Sequence, residues 1–376
     1  MSEVITLGCR LNFAESEALA ATSPPNTVVI NSCAVTNEAV RQTRQAIRKA
    51  RRANPAARIV ATGCAVQLDP QGFAAMPEVD AIALRDNRPK AVAGLLHKVK
   101  SFVAIQTGCD HRCTFCSIWQ ARGQSQSVPY AEIRTAVEHE LGRGAQEIVL
   151  TGVDITDHCE GLGSVCARLL GDLPDLKRLR LSSLDSIEID ADLERLYGDD
   201  ERLMPHVHLS LQAGDDLVLK RMKRRHSRAQ SVEAVRRLKQ VRPDLTVGAD
   251  LIAGFPTETE EAAMNTLRLV DDCEIVSAHV FPFSPRPDTP AARMRQVERE
   301  IVKARAARLR EHAATARSAW LDSLVGTRQR VLVESDNSTG HAENFAPVRL
   351  ANVPKGTIST ATIAARDGDH LIGIAT

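Results

Sequence analysis

Along the first hundred residues, short runs of β-branched and apolar side chains alternate with stretches of helical spacing. The runs are VITLG (4–8), VVINS (28–32) and RIVATG (58–63), with a weaker one near 79–84. Helical patterns fill 13–21 and 38–53, the second opened by Thr36 or Asn37, either of which can accept from the first free N–H groups. Strand runs alternating with helical ones predict a small parallel sheet. The alternation resumes at FVAIQT (102–107) and continues through EIVLTG (147–152), LRLSSL (179–184), HVHLSLQ (206–212), TVGADLIAG (246–254) and VSAHVF (276–281). From 321 onward VGTRQRVLVES, TGHAENFAPVRL, GTISTATIAA and DHLIGIAT read as short strands punctuated by glycine. The pattern therefore predicts an α/β chain of three units: a small parallel-sheet unit at 1–98, a six-unit α/β core at 99–320 and a small β domain at 321–376.

Composition narrows the setting. A length of 376 residues with 43% hydrophobic content suits two or three real cores. No uncharged apolar run is long enough for a membrane helix, and MSEVITLGCRLN passes straight into a strand without a secretion signal. The expectation is a cytoplasmic protein without a membrane partner, whose nine cysteines serve as metal ligands or catalytic thiols rather than disulfides. Net charge is +1, yet basic residues cluster twice: Arg41 to Arg58 carry no acidic residue among them after Glu38, and Lys220 to Arg228 form a second group. Two such clusters in a near-neutral chain favour a polyanionic partner over two solvated helix faces.

Each of the three N-terminal runs ends in a cysteine: Cys9, Cys33 and Cys64. In a parallel sheet the strand C-termini share one edge, where α/β folds bind ligands, so the three thiols are expected to converge. Such a thiolate set selects zinc or an iron–sulfur cluster, and with three ligands one metal coordination position stays open. The densest motif is CDHRCTFC at 109–116, which sets Cys109, Cys113 and Cys116 in a Cys-x3-Cys-x2-Cys loop after FVAIQT. A four-iron cluster normally takes four cysteines, and no fourth lies nearby, so one iron is left to chelate a substrate. A zinc knuckle would need another Cys or His, and His111 inside the loop is poorly placed for that.

CDHRCTFC, with Phe115 before its last cysteine, resembles the signature of the radical S-adenosylmethionine superfamily. The resemblance implies that the six strand units form an incomplete (β/α)6 barrel with its active site at the strand C-termini. It also implies a four-iron cluster whose open iron binds the amino and carboxylate groups of S-adenosylmethionine. One electron then breaks a carbon–sulfur bond and releases a 5′-deoxyadenosyl radical. By the same resemblance Phe115 belongs to the cofactor loop, and Gly152 and Asp154 fall near the methionine amino group. Ser183 and Gln212 fall near the ribose, and Ile252 and Gly254 near the adenine.

The whole chain resembles the methylthiotransferases of that superfamily, which implies a second [4Fe–4S] cluster on Cys9, Cys33 and Cys64, and a C-terminal RNA-binding β-barrel of the TRAM type. LGCRLNFAESEA (7–18), NSCAVTNEAVRQTRQAIRKA (31–50) and VFPFSPRPDTPAA (280–292) are most similar to the branch that adds a 2-methylthio group to N6-threonylcarbamoyladenosine beside the tRNA anticodon. Other branches act on isopentenyladenosine or on a ribosomal protein. An iron–sulfur RNA-binding regulator is the non-enzymatic reading, against which the open iron argues. The implied partners are a tRNA anticodon stem–loop and an electron donor such as flavodoxin or ferredoxin. The chain departs from the family in a short linker after Cys64, in ALRDN (83–87) where a glycine turn is usual, and in a barrel poor in aromatics. Cys159, Cys166 and Cys273 read as structural. In 321–376 acidic residues slightly outnumber basic ones, so the basic stretch 41–58 is the expected source of phosphate contacts.

Overall fold

The computed structural model describes residues 2–85, 90, 92–96 and 99–376. The first unit runs β1 (Glu3–Thr6), α1 (Arg10–Thr22), β2 (Thr27–Ser32), α2 (Asn37–Ala53), β3 (Arg58–Gly63), α3 (Cys64–Leu68), α4 (Pro70–Ala74) and β4 (Ala81–Ala83). Its four strands pair in parallel in sequence order, so every strand C-terminus lies on one edge. Strand β2 is buried along its whole length, as a central parallel strand covered on both faces must be. Thr36 caps α2, its hydroxyl accepting from the Ala39 N–H at 3.1 Å. Of ALRDN, Asp86 and Asn87 lie outside the described residues, as do residues 97 and 98 at the expected first boundary.

The second unit contains β5 (Ala93–Leu96), β6 (Lys100–Ala104), β7 (Gln106–Thr107), α5 (Ile118–Arg122), β8 (Gln126–Ser127), α6 (Tyr130–Gly142), β9 (Glu147–Thr151), α7 (Leu162–Asp172), β10 (Leu179–Leu181) and β11 (Ser183–Leu184). It continues with α8 (Ala191–Asp199), β12 (His206–Gln212), α9 (Asp216–Met222), α10 (Arg228–Val241), β13 (Thr246–Ala253), α11 (Glu260–Asp272), β14 (Ile275–Pro282) and α12 (Arg299–Ser323). Eight of these strands form two four-stranded sheets, ordered β10-β9-β6-β5 and β11-β12-β13-β14, and β7 pairs with β8 as a separate antiparallel ribbon. The single run LRLSSL is thus split between them at Ser182, whose N–H donates to Leu150 O at 3.0 Å while Ser183 pairs with His208. One curved half-barrel results, parallel except for the antiparallel edge strand β5, which carried no clear strand signal. Side chains alternate along each strand: Val207, Leu209 and Leu211 enter the core beneath the helices, while His206, His208, Ser210 and Gln212 face the lumen.

The third unit is a closed barrel of β15 (Arg328–Val333), β16 (Thr339–Ala342), β17 (Pro347–Leu350), β18 (Ile358–Asp367) and β19 (His370–Ala375). It docks on the N-terminal ends of the barrel strands, opposite the cysteine loops. Phe345, in the corner after β16, stacks on His206 with ring centroids 4.8 Å apart, and Asn344 O accepts from Thr246 Oγ1 at 2.7 Å. Glu147, at the start of β9, holds Lys100 at 3.1 Å and Arg180 at 3.0 Å, and Lys100 also reaches Glu334 of the third unit at 2.8 Å. No helix among the described residues is long and apolar enough to cross a membrane.

Candidate functional site: two thiol sets at one end of the barrel

The first set is assembled by backbone satisfaction. Asn12, in the first turn of α1, donates to Leu7 O at 2.8 Å and to Ser32 O at 3.0 Å, tying the loop of Cys9 to the end of β2. Ser32 Oγ accepts from Ala65 N at 3.1 Å and Val66 N at 3.2 Å, so it caps α3 and seats Cys64 beside Cys33. Gly8 lies at φ +105°, and a Cβ there would stand 2.8 Å from that of Cys33, so only glycine lets the Cys9 loop approach so closely. Cys33 and Cys64 are buried and Cys9 is exposed, leaving one open side. Burial, reinforced by Cys9 and Cys64, pushes the Cys33 thiol up to about 11.

The second set occupies the loop after β7. Cys109 N donates to Gly123 O at 3.1 Å, and Thr114 is bound through its N–H to Met222 O at 3.0 Å and through its hydroxyl to Arg221 O at 2.8 Å. Burial pushes Cys109 up to about 12, with Asp154, Cys116 and Cys113 adding to the effect, and Cys116 up to about 11. His111 is set among carboxylates, with a ring nitrogen within 4.8 Å of Cys109 Sγ: Nε2 lies 3.0 Å from Asp154 and 3.4 Å from Glu188, and Nδ1 lies 3.6 Å from Asp185. It is a brace of the loop.

Three thiols gathered in one place suit a cation that would hold them as thiolates. Beside each set stands a buried arginine whose Nε has no partner among the described atoms. Arg224 donates to Cys113 Sγ at 3.7 Å and to Asp185 at 2.9 Å, and Arg286 lies in the field of Cys33. Both donor sets therefore fit a metal cluster whose net charge is negative. The sets are also adjacent. Helix α5, which follows Cys116, packs on α3, which begins at Cys64. Arg122 in α5 reaches Glu15 at 2.9 Å and Asn12 at 2.9 Å, inside the helix that follows Cys9.

The other expected positions lie around the second loop. Phe115 meets Phe255 edge-on at 6.5 Å and packs with Ile252. Asp154 Oδ2 accepts from Cys109 Sγ at 3.8 Å, and Oδ1 from Thr156 Oγ1 at 2.9 Å. Gly152 packs on Gln106, whose carbonyl oxygen a Cβ would meet at 2.8 Å. Gln212 holds φ 65° at the end of β12, a conformation uncommon outside glycine and frequent at binding sites. Gly254, at φ +76°, would place a Cβ 2.6 Å from Val302, and its N–H donates to Glu258 at 2.9 Å. Ser183 opens β11, half-buried, and pairs with His208, lower in the lumen than the end of β12. Of the remaining cysteines, Cys166 and Cys273 are buried in the barrel core and Cys159 is exposed in the loop after β9. The bracing groups Asn12, Glu15, Arg122, Asp185 and Arg224 were not singled out by sequence reasoning. Arg224 lay hidden among the basic cluster at 220–228, whose composition suggested solvent or phosphate.

An incomplete parallel barrel with a three-cysteine loop at its strand C-termini defines a radical S-adenosylmethionine protein, and residues 103–270 match the family model of the radical SAM superfamily. Residues 2–84 match the uncharacterized protein family UPF0004. The threonylcarbamoyladenosine tRNA methylthiotransferase MtaB of Rickettsia prowazekii is 41% identical over 93% of this chain and 91% of the relative. That of Aquifex aeolicus is 32% identical over 92% and 95%. The tRNA-2-methylthio-N(6)-dimethylallyladenosine synthase of Erythrobacter litoralis is 31% identical over 88% and 86%. The chain belongs to the radical SAM methylthiotransferases, in the threonylcarbamoyladenosine tRNA branch. Among solved structures, the radical S-adenosylmethionine methyltransferase TsrM of Kitasatospora setae superposes with a TM-score of 0.52 at 14% identity, over 72% of this chain and 65% of that one, which shows a shared fold.

Proposed function

We propose that this protein adds a 2-methylthio group to N6-threonylcarbamoyladenosine beside the tRNA anticodon. The observation that carries the reading is the adjacency of two three-thiol sets, bridged by Arg122, Glu15 and Asn12. Cys9, Cys33 and Cys64 would hold one [4Fe–4S] cluster, and Cys109, Cys113 and Cys116 the other. The bound clusters and S-adenosylmethionine supply carbon–sulfur cleavage, the transferred sulfur and its methyl group. Phe115, Gly152, Asp154, Gln212, Ile252 and Gly254, with Ser183 lower in the lumen, would receive S-adenosylmethionine. Asp154 fixes the Cys109 loop, and Phe115 with Ile252 and Phe255 keeps water from one flank of it. Cluster-bound protein needs a low-potential one-electron donor, for which a flavodoxin or ferredoxin is suited, and a tRNA substrate agrees with a cytoplasmic protein. The units 1–98, 99–320 and 321–376 divide these tasks into the sulfur-handling domain, the radical core and the RNA-binding barrel.

Nucleoside mass spectrometry of tRNA from cells lacking the protein tests this reading. Threonylcarbamoyladenosine should accumulate without its methylthio group while isopentenyladenosine derivatives stay unchanged. Loss of the methylthio group from isopentenyladenosine instead would move the protein to the neighbouring branch. Anaerobically purified protein should carry about eight irons per chain, as two four-iron clusters require.

A further inference from the structure

Midway down the barrel lumen, below the cysteine loops, three strands and the N-terminal unit present a polar group of their own. His208 Nε2 and His279 Nδ1 both contact Asp250 Oδ1, at 3.0 and 3.1 Å, and their rings lie 4.8 Å apart. Asp250 and His279 are register partners on β13 and β14. The His279 side chain is 60% exposed, so with Nδ1 turned to Asp250 its Nε2 edge stays accessible. Gly248, one inward position below Asp250, leaves room for His208, because a Cβ there would stand 2.6 Å from its Nδ1.

Arg10 enters the same lumen from α1. Its guanidinium stands 5.8 Å from the centroid of the Phe102 ring, in the field of Asp250, Glu147 and Arg180. Lys100 and Arg180 both pair with Glu147, although Arg180 Nη1 is buried without a partner among the described residues. Arg10 is half-buried and has neither a hydrogen bond nor an ion pair among the described residues. Its guanidinium nitrogens are therefore reached by solvent and free to take a ligand, and the planar fork matches a carboxylate in two parallel hydrogen bonds.

The substrate assigned above carries such a group. Threonylcarbamoyl is an amino acid joined through a urea, with a free carboxylate and a hydroxyl, whereas an isopentenyl group has neither. We propose that Arg10 is the specificity-determining residue of this enzyme, its guanidinium binding the threonyl carboxylate while His279, oriented by Asp250, donates to the same side chain. The inference rests on the reading of the substrate given under the proposed function. It gives that reading a chemical basis: a site built to pair a charge rejects an analogue that leaves the charge unmatched. The spacing of His208, Asp250 and His279 would also suit a divalent cation, but the neighbouring cation of Arg10 opposes one.

The test uses the cluster-loaded enzyme and two anticodon stem–loops, one bearing threonylcarbamoyladenosine and one bearing its methyl ester, with the methylthiolated product measured as kcat/KM for each. The wild type should prefer the free acid by about 10- to 100-fold, the range of a charge-assisted contact. Arg10→Gln should bring the two substrates close to parity, Arg10→Lys should keep a reduced preference, and His279→Ala should lower the preference by a few-fold. Iron content is compared throughout because Arg10 adjoins Cys9, and if Arg10→Gln loses iron the Lys variant decides. An undiminished preference for the acid in Arg10→Gln, or in the Lys variant where that one decides, overturns the proposal while leaving the substrate reading intact. Wild-type inactivity on the acid stem–loop overturns both. Stoichiometric zinc that disappears in His279→Ala would assign the trio to a metal and overturn the proposal as well.

Discussion

Cys113 and Cys33 occupy equivalent places in two different sites, each buried, each beside its two fellow thiols, each with a buried arginine close by. Their replacement should separate the two activities. Cys113→Ala leaves two protein ligands in the loop of 109–116, which cannot hold a cluster in register, so 5′-deoxyadenosine formation under dithionite should fall to background. Cys33→Ala should keep that cleavage and lose the methylthiolated nucleoside, because its site lies in a separate unit. High-performance liquid chromatography of the two products checks both, and an unimpaired methylthiolated product in Cys33→Ala would return the first set to a structural role. Gly254 makes a contrasting residue-scale case. Any side chain there meets Val302 and must also accept φ +76°, so Gly254→Ala should lower stability by about 1–3 kcal/mol, read as a shift in the denaturation midpoint.

At the scale of elements, the long periodic segments were legible in the sequence. The runs RIVATG and HVHLSLQ coincide with β3 and β12, and helix α2 begins where Thr36 caps it. What was not legible depends on contacts between distant residues. Strand β5 is short, and it exists because its backbone pairs with β6. The break between β10 and β11 follows from curvature across two sheets. The six cysteines could be read from spacing and strand ends, but Arg10, Arg122 and Arg224 could not, because an arginine that braces a site and one that meets solvent look alike in sequence. Glu147 is a further case: a single acidic residue at the start of β9 that is fully buried against Lys100, Arg178 and Arg180 at the seam with the C-terminal barrel. Burial alone would raise its carboxyl, but Arg180 and Lys100 outweigh that and hold it well below the usual range. A depressed folded value means that its stabilisation is present above the ordinary glutamate value of 4.5 and is lost as pH falls below it. Glu147→Gln should therefore cost about 3–5 kcal/mol near neutrality, by leaving buried cations unpaired, and should flatten the acid limb of the stability–pH curve. Urea titrations at several pH values give both, and an unchanged acid limb would remove Glu147 from that seam's energetics.

For the whole molecule, the placement of charge decides where an anionic RNA could lie. The basic helix α2 is less available than its composition suggests, since Arg41, Arg44, Arg48 and Arg51 pair with Glu38, Asp69, Glu78 and Asp80. The second cluster is divided: Arg224 is turned inward to Asp185 and Arg228 is paired with Asp272, while Lys220 and Lys223 are exposed and carry no ion pair among the described residues. These two lysines follow β12 at the end of the barrel that holds the cysteine loops, and Thr114 of the second loop is bonded to the backbone between them. The C-terminal barrel is fixed at the opposite end by Phe345, Asn344 and Glu334. A stem–loop delivering its base to the cysteine loops would thus meet Lys220 and Lys223 first. Phosphate binding carries no sequence information, so Lys220→Ala with Lys223→Ala should weaken binding to all tRNAs alike. The slope of log affinity against log salt should fall by about one unit for each phosphate that is no longer neutralised. Arg48→Ala with Arg44→Ala, which removes cations already matched by carboxylates, should change that slope less. Filter binding across a salt series compares the two double variants. A larger drop in slope from the α2 pair would show that its ion pairs open to receive RNA, and would move the phosphate-binding face to the N-terminal unit.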